Sequence, residues 1–257
     1  SPLICDDSLL THTLVFIIFE LKSSHVYKTQ ANIFYVFVSN RMDNSNATMA
    51  IQQSKRLLRK EMASRLGRLS AQEIDRQSKI IHKMLFQMSE FRQAKRIGLY
   101  LSMDGKEIDT LAILSECFER GKQCFVPRYS SDNPNMQMLQ IYSWHDYEQM
   151  PIEPKYRIKQ PSLDDSTRSD AMNSGGLDLI VVPGVAFTCN GLRLGHGKGY
   201  YDRWLNQCRQ RISSDQNHRY PITIGLSFVE QIADQIPVNE FDIPIDRILY
   251  PLDNVSH

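Results

Sequence analysis

The stretch that most constrains the fold lies late in the chain. An apolar run at residues 177–182 (LDLIVV) leads into PGVAFTCNGLRLGHGKGYYD at 183–202, and a helix-like run follows over 201–211. A short apolar run bounded by turn residues reads as a strand buried on both faces. Strand, glycine-rich loop and helix in that order make half of a βαβ unit, which requires a sheet with a helix laid across it. Inside the loop, Gly195, Gly197 and Gly199 alternate around His196 and Lys198. Glycines at that density let backbone approach a ligand closely. Amides at the start of a helix, together with Arg193 and Lys198, make a cradle suited to a polyphosphate.

The rest of the chain agrees. Residues 54–66 carry Leu57, Leu58, Met62 and Leu66 at helical spacing. The sequence Ser70-Ala-Gln-Glu73 is a capping box that starts a second helix running to about residue 88. Residues 96–101 read as a strand, 108–120 as a helix closed by Gly121, 123–127 as a strand, 136–142 as an alternating strand and 221–228 as another buried strand. Residues 151–175, rich in Pro, Ser, Asp and Lys, read as a long loop. Strands alternating with helices predict an α/β sheet with a parallel core, and there is no internal repeat. In such sheets ligands sit beyond the carboxyl ends of the strands, which is where the glycine loop falls. Residues 1–48 differ in character from the remainder of the chain, with two short apolar runs separated by polar patches. They are expected to be a disordered or adventitious extension, leaving 49–257 as a single domain.

Charge narrows the function classes. The chain has 30 basic and 29 acidic residues, a formal charge of +1, so no global field favours nucleic acid or an anionic membrane. No apolar run nears the roughly 20 residues that span a bilayer. The five cysteines, at 5, 117, 124, 189 and 208, form no CxxC pair and no zinc spacing, and they read as reduced thiols of an intracellular protein. A cytoplasmic monomer with no nucleic-acid or membrane partner is expected.

The loop lacks the Ser or Thr that follows GxxxxGK in a Walker A motif, because Gly199 follows Lys198, and its GxGxG spacing is not GxGxxG. Tyr200 and Tyr201 offer rings to a flat ligand. Asp202 reads either as a magnesium ligand beside the phosphates or as a helix-start carboxylate favoured by the dipole. Lys55, Arg56 and Arg59 form a second basic cluster. Lys55 and Arg59, four apart, share a helix face, where they would grip phosphate or stand solvated.

Further blocks then fall into place in order: KRLLR at 55–59, LSM at 101–103, EIDT at 107–110, VPRY at 126–129, GGLDL at 175–179, VPG at 182–184, NGLRLG at 190–195, GKGYYD at 197–202 and QIPV at 235–238. Over about residues 54–250 the chain resembles the 5-formyltetrahydrofolate cyclo-ligase, or methenyltetrahydrofolate synthetase, family. The resemblance implies an α/β fold with a Rossmann-like sheet flanked by helices, of the sugar-phosphate isomerase/CoA-transferase type. It implies that ATP, with Mg²⁺, drives closure of 5-formyltetrahydrofolate, polyglutamated or not, to 5,10-methenyltetrahydrofolate with release of ADP and phosphate. In that reaction the formyl oxygen attacks the γ-phosphorus, and N10 then displaces phosphate from the resulting imidoyl phosphate.

The family's positions map onto this chain residue by residue. Lys55, Arg56, Leu57, Leu58 and Arg59 would meet ATP from one side. Arg193, Leu194, Gly195, His196, Gly197, Lys198, Gly199, Tyr200 and Tyr201 would meet it from the other, with Lys198 the main γ-phosphate stabiliser and Arg193 its catalytic partner. Leu101, Glu107 and Tyr156 would hold the folate, together with His196, Gly197, Lys198, Gly199 and Tyr200. Asp202 and Asp242 match the magnesium positions. Met136 or Met138 would line the folate pocket. His196 stands where the family pattern has Arg, and Tyr156 where it has Trp. Two rival readings remain: a sugar-phosphate isomerase or acyltransferase-like enzyme on a related sheet, which would not need ATP, and a non-catalytic folate- or nucleotide-binding module.

Overall fold

Alternation within single strands decides the layering. Residues 44–103, 105–130, 132–154, 157–214 and 220–252 are described in the computed structural model. They form helices α1 (Asn44–Leu66), α2 (Ala71–Gln87), α3 (Ser89–Gln93), α4 (Leu111–Glu119), α5 (Trp144–Gln149) and α6 (Tyr200–Ser214). The strands are β1 (Arg96–Gly98), β2 (Gln123–Ser130), β3 (Asn133–Ile141), β4 (Leu179–Val182), β5 (Ala186–Phe187), β6 (Arg193–Leu194), β7 (Ile222–Leu226) and β8 (Arg247–Leu249). In β4, Leu179 and Val181 pack with Ile81 and Leu85 of α2 and Ile113, Leu114 and Cys117 of α4. Ile180 and Val182 pack with Trp204, Leu205 and Cys208 of α6. Successive side chains of a strand point to opposite faces, so the sheet carries helices on both, and an unbroken LIVV run is the sequence such a strand needs.

The six-stranded sheet has the order β3-β2-β1-β4-β7-β8. All neighbours are parallel except β2 and β3, an antiparallel hairpin on the edge. From β1 the chain builds outward to β2 and β3, then returns to β4 and builds outward the other way through β7 and β8. The switch point is therefore between β1 and β4, where a ligand crevice is expected outside the carboxyl ends.

Boundaries differ from the sequence reading in instructive ways. The helix expected over 54–66 starts at Asn44. β1 ends at Gly98, short of residue 101, although the Leu99 N–H still bonds the Phe125 carbonyl at 2.8 Å. α4 starts only at Leu111, because Ser102 and Thr110 exchange side-chain-to-amide bonds of 2.9 and 3.1 Å that hold the preceding loop closed. Ser70 caps α2 by accepting from the Glu73 N–H, but the Glu73 carboxylate turns to Arg76 and Gln77, so only half of the expected capping box forms. Residues 183–202 are not one loop. β5 and β6 pair antiparallel within them, Ala186 opposite Leu194 and Phe187 opposite Arg193. Met136 and Met138 are core residues, buried beside Trp204 and Leu205.

The chain divides into two compact units, residues 1–50 and 51–257. Of the first, only 44–50, the opening turns of α1, are described, so the reading of 1–48 as an extension falls largely outside the described residues, as does Tyr156.

Candidate active site

The glycine loop sits between the β5–β6 hairpin and the amino end of α6. Three arginines from three elements brace it, one against each alternate glycine. A Cβ on Gly195 would lie 2.8 Å from Arg193 Nη1, one on Gly197 3.4 Å from the Arg59 guanidinium, and one on Gly199 2.9 Å from Arg203 Nη1. Gly197 and Gly199 also have φ of +99° and +66°, a region that residues with a Cβ rarely enter. Close approach and conformation together therefore explain the GxGxG spacing.

A basic wall on α1 faces this loop. Arg59 Nε donates to the Gly195 carbonyl at 2.8 Å, and Lys55 Nζ pairs with Asp242 Oδ2 at 2.5 Å. Lys55 and Arg59 therefore share a face, Arg59 turned to the loop and Lys55 to Asp242. Leu58 and Met62, on the same side, join Ala186, Leu194 and Ile236 in a small apolar cluster. Met62 is fully buried there, which contributes about 1.5–3 kcal/mol to holding α1 in place. Arg56 and Leu57 are exposed on the other face, and Leu194 packs in the cluster rather than facing the cradle.

Arg193 is buried and already engaged. It donates to Asp202 Oδ1 at 2.8 Å and to the Pro183 carbonyl at 3.1 Å. Among the described residues its buried Nε has no hydrogen-bond partner, an arrangement that costs free energy unless a ligand supplies an acceptor. Asp202 Oδ1 also accepts the Ile243 N–H at 3.2 Å, which brings the 239–243 turn, and with it Asp242, alongside Asp202. Asp242 Oδ2 additionally accepts the Asn239 N–H at 2.7 Å. The two carboxylates singled out from the sequence are thus neighbours, each paired with a cation. Lys198 is exposed, and so is His196 at its edge. Desolvation, then the Arg59 and Arg193 charges, hold the His196 pKa below the ordinary imidazole value, so the ring adds a neutral donor and acceptor to the loop.

The neighbouring side of the crevice is built on the loop after β1. Leu101 is buried. Glu107 Oε2 accepts the Met103 N–H at 2.8 Å, and burial raises its pKa to about 7. Tyr100 and Tyr201 both feel the Glu107 charge, and burial first, then neighbouring phenols and carboxylates, raises both phenol pKa values. Tyr201 also feels Arg193, so it lies between the carboxyl side and the arginine side, and its buried hydroxyl has no hydrogen-bond partner among the described residues. Tyr200 stacks on Tyr129 with centroids 5.4 Å apart and donates to the Ser130 carbonyl at 3.0 Å. A cavity of about 560 Å³ opens beside the loop that carries Glu107, lined by Leu69, Ile74, Ser78, His82, Gly105 and Asp109.

Sequence reasoning missed Arg203, which reads as a solvated helix cation, and the Tyr129–Tyr200 stack. Only the hairpin of β2 and β3 brings their partners within reach.

A basic glycine cradle and a partly buried carboxyl with a raised pKa, meeting at the switch point of a mostly parallel sheet, place this chain among the α/β enzymes. The family model for the 5-formyltetrahydrofolate cyclo-ligase family matches residues 51–251. The mouse 5-formyltetrahydrofolate cyclo-ligase is 39% identical over 204 residues, covering 79% of this chain and 97% of the mouse protein. A probable 5-formyltetrahydrofolate cyclo-ligase of Caenorhabditis elegans is 34% identical over 78% of this chain and 94% of its own. The NMR structure of the Aquifex aeolicus 5,10-methenyltetrahydrofolate synthetase superposes with a TM-score of 0.59 at 27% identity, covering 76% of this chain and 88% of that one. The chain belongs to the 5-formyltetrahydrofolate cyclo-ligase family and is a ligase.

Proposed function

We propose that this ligase uses ATP and Mg²⁺ to close 5-formyltetrahydrofolate, with or without a polyglutamate tail, to 5,10-methenyltetrahydrofolate, releasing ADP and phosphate. It acts as a cytoplasmic monomer whose catalytic unit lies within residues 49–257. The observation that carries the ATP reading is the Arg59 bond to the Gly195 carbonyl, which brings two basic walls together over exposed backbone at the start of α6. Phosphoryl transfer asks mainly for positioning and charge stabilisation. Lys198 and Arg59 would neutralise the phosphate oxygens, the Gly197–Gly199 amides would hold them at the helix start, and Arg193 Nε would find its acceptor there.

Mg²⁺ takes one or two carboxylates together with phosphate oxygens and waters. Asp202 and Asp242, brought together through the Ile243 N–H, fit that donor set. They would hold the ion, which supplies charge neutralisation of the phosphates when bound. Lys55 and Arg193 hold the two carboxylates in place.

On the folate side, Glu107 would accept hydrogen bonds from the pterin's amino and ring N–H groups when ionised, and Leu101 would line the same site, with Tyr156 a further substrate contact on the family resemblance alone. Tyr200 and Tyr201 would bring the formyl group towards Lys198. The formyl oxygen then attacks the γ-phosphorus as ADP leaves. N10 next attacks the activated carbon, closing the ring and expelling phosphate.

The test is to mix protein, 5-formyltetrahydrofolate, Mg²⁺ and ATP and follow the methenyl chromophore. Product formed only with ATP, with one ADP per ring closed, is the expected result. No product with ATP would sink the proposal. Product without ATP would remove phosphoryl activation from it.

A further inference from the structure

Arg203 stands in the first turn of α6, where the helix dipole disfavours a cation. Its hydrogen bonds go to backbone carbonyls. Nε donates to the Pro134 carbonyl at 2.7 Å, and Nη2 donates to that same carbonyl and to the Lys198 carbonyl, the latter at 2.7 Å. The guanidinium lies 5.5 Å from the centroid of the Tyr200 ring. Its Nη1 occupies the space that a side chain on Gly199 would need. One planar fork thus joins the Lys198–Gly199 peptide to the β2–β3 hairpin, and the Tyr200 hydroxyl makes a second tie to the same hairpin at Ser130. Among the described residues Arg203 has no compensating ion pair, and a residue that breaks a local rule in this way points to a functional constraint.

We propose that Arg203 is a positioning residue for the phosphate cradle. By clamping the Lys198 carbonyl to Pro134, it fixes the peptide from which the Lys198 side chain and the Gly199 amide project. It acts through Lys198 and does not touch substrate. The role needs a bidentate planar group, so lysine cannot replace it. The inference rests on the ATP reading for its catalytic consequence, but the clamp itself does not.

The experiment compares Arg203→Met and Arg203→Lys with the unaltered protein in two measurements. Amide hydrogen exchange on the free protein reads the clamp: exchange at the residue-203 N–H, which bonds the Gly199 carbonyl at 3.1 Å, should rise about tenfold or more in both variants, the loss expected when hydrogen bonds from a charged donor no longer hold that carbonyl's peptide. Steady-state cyclisation reads the consequence: kcat should fall about tenfold or more in both, with the KM for 5-formyltetrahydrofolate unchanged. Unchanged exchange at the residue-203 N–H overturns the clamp whatever the activity. Wild-type turnover in Arg203→Lys overturns it too, since charge alone would then suffice. Faster exchange in variants of a protein that closes no ring even when unaltered would uphold the clamp and defeat the activity reading instead.

Discussion

Lys55 Nζ and Asp242 Oδ2 meet at 2.5 Å across 187 residues of sequence. The pair joins the helix that opens the family match to the turn near its end, and it couples a residue expected to hold nucleotide with one expected to hold metal. Lys55 is 7% exposed and Asp242 21%, so neither charge is solvated enough to lose its partner cheaply. A double-mutant cycle with Lys55→Met and Asp242→Asn, read by urea denaturation, should give a coupling energy of about 1–3 kcal/mol. Additive single losses would show that the pair is incidental.

Replacing Lys198 separates chemistry from folding. Its side chain is exposed, so Lys198→Ala should leave thermal stability within about 0.5 kcal/mol of the original. Turnover should drop about 100- to 1,000-fold, the usual loss when a charge-stabilising donor is removed. Near-normal turnover would remove Lys198 from the site.

Glu107 predicts two pH effects of opposite sense. Its folded pKa of about 7 lies above the ordinary value of 4.5. Between these values the native protein holds a proton that the unfolded chain has released, so the contribution to stability is full below about 4.5 and is lost as pH rises through about 7. On the proposed role of Glu107, substrate capture uses the ionised carboxylate, so the KM for 5-formyltetrahydrofolate should fall as pH rises through that range. Glu107→Gln should flatten both profiles. A variant whose KM keeps the original pH dependence would show that another group titrates.

Gly197 couples backbone conformation to the Arg59 contact. An alanine there must adopt φ near +99° and press on the guanidinium at 3.4 Å, at about 1–3 kcal/mol of strain. Gly197→Ala should weaken ATP binding at least about tenfold by calorimetry, with a smaller fall in melting temperature. Intact ATP affinity would mean that the loop reshapes freely.

Metal dependence gives a further check on the two acids. Chelation should abolish turnover, and Asp202→Asn should raise the Mg²⁺ concentration giving half-maximal rate. That substitution also weakens the partner of Arg193, so its stability should be measured in parallel. Unchanged Mg²⁺ dependence in Asp202→Asn would move the metal elsewhere.

Much of this architecture is readable from periodicity. β4 and α6 lie close to their expected bounds at each end, because an unbroken apolar run and a 3.6-residue repeat are strong local signals. Strand β8 escapes such a reading, since its strand character comes only from pairing with β7. Helix α5 escapes it despite a local signal: Ser143 accepts the Asp146 N–H at 3.1 Å, as a Ser-x-x-Asp start suggests. The identity of the basic walls is legible, since Lys55 and Arg59 are four apart. That Arg59 reaches Gly195, that burial raises the Glu107 pKa, and that Arg203 seats Gly199 all depend on contacts between distant segments, and no window of sequence contains them.

The two bonds that tie α1 to the cradle, Arg59 to Gly195 and Lys55 to Asp242, span 136 and 187 residues. Contacts of such separation carry the largest loop-closure cost and are slow to form, whereas the β2–β3 hairpin closes over a few residues. On refolding, the sheet's optical signal should therefore return before enzymatic turnover does. The lag between them times the docking of one amino-terminal helix onto an otherwise finished scaffold.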